Sequence, residues 1–190
     1  MKKSQYMQLA NQLTKNYILS EKQKPIISKL FDYFNGTGEL DQNKGILLYG
    51  GIGCGKSTIM RIFEILTEHT PKQFEIYSER EICGLFAENG IKGLNPVLKN
   101  KQINQYDVVN CEPQIICIDD VGLEIKTTKY YGTETNVIHD VLSDRYDMNV
   151  ITHGTTNVIT TMTKAYGERL TDRFKEMFNF VFLPGGSYRR

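Results

Sequence analysis

Apolar positions along this chain follow two rhythms. Ile26, Ile27, Leu30, Phe31 and Phe34 recur at helical spacing, and a weaker series at Tyr6, Leu9, Leu13 and Tyr17 precedes them, so the first 35 residues read as two amphipathic helices. Pro25 suits the first turn of the second helix and Asn35-Gly36 its end. After the polar stretch GTGELDQNK, the run GILLY from Gly45 to Tyr49 reads as a strand. Ile59, Met60, Phe63 and Leu66 then mark a helix that stops before Pro71. FEIYS (Phe74 to Ser78) predicts a second strand and EREICGLFAEN a second helix of this set. IICIDD (Ile115 to Asp120) is a continuous apolar run ending in acids, which fits a strand buried on both faces. Thr135 to Tyr146 reads as a helix with Ile138, Val141 and Leu142 inward, and VITHGTTN (Val150 to Asn157) as a β-branched strand. Tyr166 to Phe178 predicts a helix burying Leu170, Phe174, Met177 and Phe178, and FVFL (Phe180 to Leu183) a final strand. Five strands alternating with helices imply a three-layer α/β fold around a mainly parallel sheet. Two stretches carry no sustained period and read as loops, Gly90 to Pro113 and Gly122 to Gly132. A loop as long as the first usually has a task of its own or is disordered.

Between the first strand and its helix stands GGIGCGKS, Gly50 to Ser57. This is a complete G-x-x-x-x-G-K-[ST] phosphate-binding loop. Gly50, Gly53 and Gly55 allow the turns that aim successive N–H groups at the phosphates. Lys56 adds a point charge, and the Ser57 hydroxyl is a ligand for Mg²⁺. Gly51, Ile52, Cys54 and Thr58 complete the nucleotide-contacting stretch. The helix that begins near Lys56 directs its positive end at the same anion. The chain is therefore expected to bind a nucleoside triphosphate, with ATP and Mg²⁺ as its cofactors.

Composition narrows the rest. With 190 residues, 23 basic and 22 acidic side chains, the chain suits one compact domain, and no global charge argues for nucleic acid or membrane. No apolar run is long enough for a membrane span, and the N-terminal stretch lacks the core of a signal peptide. Cys54, Cys83, Cys111 and Cys117 form no C-x-x-C pair, which favours reduced thiols in a cytoplasmic protein over disulfides or zinc.

Asp119 and Asp120 end the third strand, at the sheet edge where the phosphate loop must also lie. The first acid is expected to hold Mg²⁺ directly or through water, and the second to polarise the attacking water. Paired acids also cap strand ends. Asn157 follows the next strand as TTN, where its amide can orient water beside the γ-phosphate or simply close a turn.

In this order the motifs resemble the AAA+ ATPases of the DnaC/IstB-like branch, the helicase loaders and transposition helpers. The resemblance rests on KGILLYGGIGCGKST, IICIDDVG, DVLSDRY before a strand ending TTN, GERLTDRF and the terminal GGSYRR. It divides the chain into an N-terminal helical segment and linker, residues 1–43, and a P-loop AAA+ core, residues 44–190, with a minimal or absent lid. By position, Gly50 to Ser57 match the Walker A loop, Asp119 and Asp120 the Walker B acids, and Asn157 the sensor-1 residue. Arg173 falls where the family places an arginine finger, and Arg189 matches a sensor-2 group. Arg169 lies one turn before Arg173 on the same face. Both arginines also stand beside Glu168 and Asp172, with which they could form surface pairs. Arg145 could face a neighbouring subunit or pair with Asp144 or Asp140.

The resemblance implies an oligomer-dependent, DNA-stimulated ATPase that remodels or loads a protein–DNA assembly, with a replicative helicase or a transposase as partner. A guanidinium from a second copy would stabilise charge on the γ-phosphoryl oxygens, an effect worth roughly 10³ to 10⁵ in rate. The short N-terminal segment departs from loaders that carry a separate helicase-gripping domain. It could dock a partner or cap the sheet. For single-stranded DNA, Lys126, Lys129, Tyr130 and Tyr131 interleave charge with rings, and Lys92, Lys99 and Lys101 lie in the longer loop. The other readings are a non-catalytic adaptor switched by ATP and a small-molecule or nucleoside kinase.

Overall fold

The computed structural model describes residues 3–13, 19–98, 114–122, 127–130, 133–157 and 162–188. Helices α1 (Lys3–Leu13) and α2 (Lys24–Phe34) lead into strand β1 (Gly45–Tyr49), helix α3 (Lys56–Thr67), strand β2 (Glu75–Ser78) and helix α4 (Glu79–Asn89). A 3₁₀ turn (Gly90–Leu94) and the short helix α5 (Asn95–Leu98) follow, then strand β3 (Ile116–Asp119). Next come a small hairpin of β4 (Thr128–Tyr130) and β5 (Thr133–Thr135), helix α6 (Val137–Asp147), strand β6 (Thr152–Thr156), helix α7 (Met162–Met177) and strand β7 (Phe178–Phe182).

Five strands form one sheet in the order β2-β3-β6-β1-β7. Every neighbouring pair in it is parallel. Parallel strands need crossovers, so helices cover both faces and both faces become core. Along β1 the side chains alternate. Ile46 and Leu48 join a cluster with Leu30, Phe31, Phe34, Ile59 and Phe63 from α2 and α3. Leu47 joins Ile82, Ile118, Val141, Leu142, Leu170 and Phe174 on the opposite face. The three-layer α/β architecture expected from the sequence is the observed one.

The N-terminal helices belong to the first of these layers. Tyr6 meets Phe31 and Phe63 at ring centroid distances of 5.9 and 5.8 Å, and Phe34 stacks on Phe63 at 4.8 Å. Leu13, expected on the inner face of α1, is exposed, whereas Ala10 is fully buried there. The inward stripe of α1 therefore ends one turn early. Tyr17 lies outside the described residues.

Two expected loops carry structure. Residues 90–98 are helical because Leu94, Val97 and Leu98 bury themselves against the α4 and α6 layer. The remainder of the expected 90–113 loop, with Lys99, Lys101 and Cys111, lies outside the described residues. Part of the 122–132 stretch is strand β4, paired antiparallel with β5. α7 starts earlier than its apolar pattern indicated and is broken at Gly167, whose φ is 78°. Its regular part, which carries Arg169 and Arg173, begins after that break.

Candidate functional site

The phosphate loop leaves β1 at Tyr49 and turns into α3 at Lys56. Gly55 caps the helix at a φ of 99° and Gly53 lies at 75°, both in the left-handed region that favours glycine. The four first N–H groups of α3 therefore face the mouth of the loop, as an anion site requires. Lys56 is 5% exposed, and its Nζ donates to the carbonyls of Gly50 (3.1 Å) and Gly51 (3.0 Å). Among the described residues no carboxylate pairs with it, so its charge is directed at the loop. Ser57 is exposed beside it, Thr58 is half-buried, and Ile52 stands out at 64% exposure on the loop tip. Cys54 is buried with its sulfur 4.0 Å from Lys56 Nζ.

Asp119 ends β3 beside Ser78 of β2. Its Oδ1 accepts from Thr155 Oγ1 at 2.5 Å. Asp120 follows in a left-handed conformation, φ 61°, with its N–H donating to the same Thr155 hydroxyl at 2.9 Å. Val121 closes the turn, its N–H donating to Thr155 O (2.8 Å) and its carbonyl accepting from Thr156 Oγ1 (2.7 Å). Thr156 O also accepts from Gly50 N at 3.3 Å. β6 thus ties the acid-bearing turn on one side to the phosphate loop on the other. Asn157 comes next, and its buried Oδ1 has no hydrogen-bond partner among the described residues. An amide left so at a strand end is suited to a ligand group or water. Sheet register therefore brings the loop, Asp119, Asp120 and Asn157 to one carboxyl edge.

The donor set fits Mg²⁺. A serine hydroxyl and a carboxylate are hard oxygen ligands, and Mg²⁺ takes one or two of these beside phosphates and waters. The described residues hold no cluster of three or more metal-ligating side chains, and a cation carried by a triphosphate needs none.

Three further contacts shape the loop. Residues 183–188 run along it as a strap. Tyr188 N donates to Gly53 O at 3.0 Å. A Cβ on Gly50 would lie 2.4 Å from Leu183 O, and one on Gly53 2.4 Å from Ser187 Oγ, so only glycine admits the strap this close. Gln23, 1% exposed just before α2, donates from Nε2 to Cys54 O and to Pro184 O, both at 3.0 Å. Gln23 lies outside every motif, and Thr155 lies within TTN, of which only Asn157 is an expected site residue. A buried amide and buried hydroxyls must find partners, but their burial is set by the fold and not by the local sequence. Arg189 lies outside the described residues.

The remaining candidates are scattered. Arg173 pairs with Asp147 Oδ1 at 3.3 Å and lies 4.5 Å over the Tyr146 ring. Asp172, its expected surface partner, binds Lys175 instead. Arg169 is exposed and makes no ion pair with a described residue. Arg145 neither faces outward nor pairs with Asp140 or Asp144. It is 1% exposed and donates to the carbonyls of Val97, Gln114 and Ile151 and to Thr152 Oγ1. Burial lowers its pKa to about 10, still a charged side chain at neutral pH. Tyr130, expected to stack on bases, packs on Phe86 (5.9 Å) and closes over Gly90, because the hairpin lies on α4. Lys129 is exposed, with Glu134 3.8 Å away, and Lys92 is exposed on the 3₁₀ turn. Lys126 and Tyr131 lie outside the described residues. Cys54 and Cys117 are buried free thiols and Cys83 is half-buried. Burial holds the Cys117 thiol well above the usual range. No described helix is long and apolar enough to cross a membrane.

Comparison with known proteins agrees with this geometry. The model of the ATPase family associated with various cellular activities (AAA) matches residues 46–181. No curated protein matches the chain by sequence. Among solved structures, DnaI superposes with a TM-score of 0.62 at 16% identity, covering 100% of this chain and 94% of its own. The DnaC helicase loader gives 0.61 at 16% identity, over 96% and 100%. The replication initiator DnaA, bound to AMPPCP and single-stranded DNA, gives 0.59 at 16% identity, over 90% of this chain and 49% of its own. At such identities the likeness is one of fold, shared with helicase loaders and initiators. The family match spans most of the chain, from β1 to β7, with the phosphate loop inside it, and the chain belongs to the AAA ATPase family.

Proposed function

We propose that this chain binds Mg·ATP at the carboxyl edge of β1, hydrolyses it in a site completed by a second copy, and uses turnover to load or remodel a protein–DNA assembly. The observation that supports it best is the convergence of Lys56, Asp119, Asp120 and Asn157, whose buried Oδ1 has no partner among the described residues, on one edge. Lys56 and the loop N–H groups would take the β- and γ-phosphates. Ser57 and Asp119 would hold Mg²⁺, which neutralises charge on the phosphate oxygens when bound. Asp120 and Asn157 would orient a water whose oxygen attacks the γ-phosphorus. The bond to the β,γ-bridging oxygen breaks, ADP leaves, and the water proton passes to the Asp120 carboxylate.

Arg173 is the finger that the family pattern assigns. Reaching a neighbour would require it to leave Asp147 and the Tyr146 ring, contacts worth about 1 kcal/mol each at a partly exposed site. Arg169, one turn away and without an ion pair among the described residues, can act beside it. The fold likeness to the DnaC helicase loader and to DnaA bound to single-stranded DNA supports the helicase-loader reading, with single-stranded DNA as a further partner; a transposition helper and a cytoplasmic location rest on the sequence alone. Titration calorimetry tests the binding step. Wild-type protein should bind Mg·ATP, and Lys56→Ala should weaken binding by at least about a hundredfold. Equal affinity of the two proteins would overturn the assignment of the loop.

A further inference from the structure

Thr155 is a buried hydroxyl in the central strand of the sheet, 0% exposed, and both of its hydrogen bonds end on the acid pair. A hydroxyl has one proton to give and two lone pairs. Asp120 N–H can only donate, so at that contact Thr155 Oγ1 must accept. Its single proton is thereby committed to Asp119 Oδ1. The direction of both bonds follows from donor and acceptor chemistry alone. One lone pair of Oδ1 is taken by the protein, which leaves Oδ2, with both of its lone pairs, as the better oxygen for a cation. Meanwhile the second bond pins the backbone of Asp120 in its left-handed conformation, which for a non-glycine residue costs energy unless held.

We infer that Thr155 is a positioning residue: its hydroxyl selects which oxygen of Asp119 meets Mg²⁺ and fixes the turn from which Asp120 reaches the water. This rests on the Mg·ATP reading above and adds to it a group that touches neither metal nor nucleotide. The fold does not depend on that hydroxyl. Val121 N still donates to Thr155 O, Thr156 Oγ1 to Val121 O, and Gly50 N to Thr156 O. Thr155→Val keeps the β-branched shape and those three bonds while removing the two made by the Thr155 hydroxyl. Thr155→Ser keeps the hydroxyl.

The experiment follows binding of a fluorescent ATP analogue in EDTA and then across a Mg²⁺ titration, for wild type, Thr155→Val and Thr155→Ser, with unfolding midpoints as the check on folding. Thr155→Val should bind the metal-free analogue like wild type, yet its half-saturating Mg²⁺ should rise about tenfold, as expected when a group supporting a metal ligand is lost. Thr155→Ser should return it to within a factor of about two to three of wild type. A folded Thr155→Val protein with unchanged Mg²⁺ half-saturation would overturn the inference, as would a loss confined to metal-free binding. If wild type itself binds no analogue, or binds it equally with Lys56→Ala, the Mg·ATP reading falls instead. The two failures are therefore distinguishable.

Discussion

His153 lies at the centre of the sheet, fully buried among the rings of Tyr33, Phe34 and Phe74. Its Nδ1 accepts from Ile46 N at 3.0 Å, which requires a neutral ring protonated at Nε2. Burial first, then the positive charges of Lys72 and Arg145, lower its pKa to about 3 from the ordinary 6.5. The unfolded chain takes up this proton below pH 6.5 and the folded chain only near 3, so stability is full above 6.5 and declines as pH falls between those values. The slope from this residue is ~1.4 kcal/mol per pH unit. Urea unfolding from pH 7 to 4 should therefore show a shallower acid loss in His153→Gln than in wild type. Parallel curves would mean that His153 is not the buried neutral group described. Neither His153 nor Arg145 was readable as such from the sequence. A histidine in VITHGTTN alternates like any strand residue, and an arginine in SDRY sits among acids that promise a surface pair. What decides both is burial by segments far along the chain, including the carbonyls of Val97 and Gln114 around Arg145.

At the scale of elements, the strap of residues 183–188 and the start of α2 hold the phosphate loop from outside. Gln23 spans them with two bonds from one amide. Two buried hydrogen bonds at about 0.5–1.5 kcal/mol each translate into a five- to tenfold change or more in affinity if they support the binding conformation. Gln23→Ala should raise the Kd for Mg·ATP by roughly that factor. Gln23→Glu, which keeps the size but loses the donors, should do the same. Calorimetry checks it, and wild-type affinity in both variants would show that the loop needs no such brace. The strands and long helices were legible because periods of 2 and 3.6 survive in any sufficiently long segment. β4, β5 and α5 were not, since three or four residues cannot display a period and Gly90, Gly93 and Pro96 read as breakers. The same distinction governs the site. Gly50 to Ser57 is a local motif and needs no tertiary information. The contacts of Gln23 join residues 31 and 161 positions apart and that of Thr155 with Asp119 residues 36 apart, and only the tertiary fold brings them together.

For the molecule as a whole, the arrangement is lopsided. The loop, the acids and Asn157 lie on one edge, whereas Arg173 is held against the C-terminal end of α6 by Asp147 and the Tyr146 ring. A site divided in this way would be finished by another copy, so hydrolysis should climb more steeply than protein concentration. Mixing two damaged copies tests this most directly. Lys56→Ala lacks the loop charge but keeps its arginines; the Arg169→Ala/Arg173→Ala double variant lacks the arginines but keeps the loop. Each alone should hydrolyse ATP slowly, and their mixture should exceed the sum of the two, because one kind of interface then contains every part. A mixture no faster than that sum, with wild type keeping its full specific rate on dilution, would contradict the shared site.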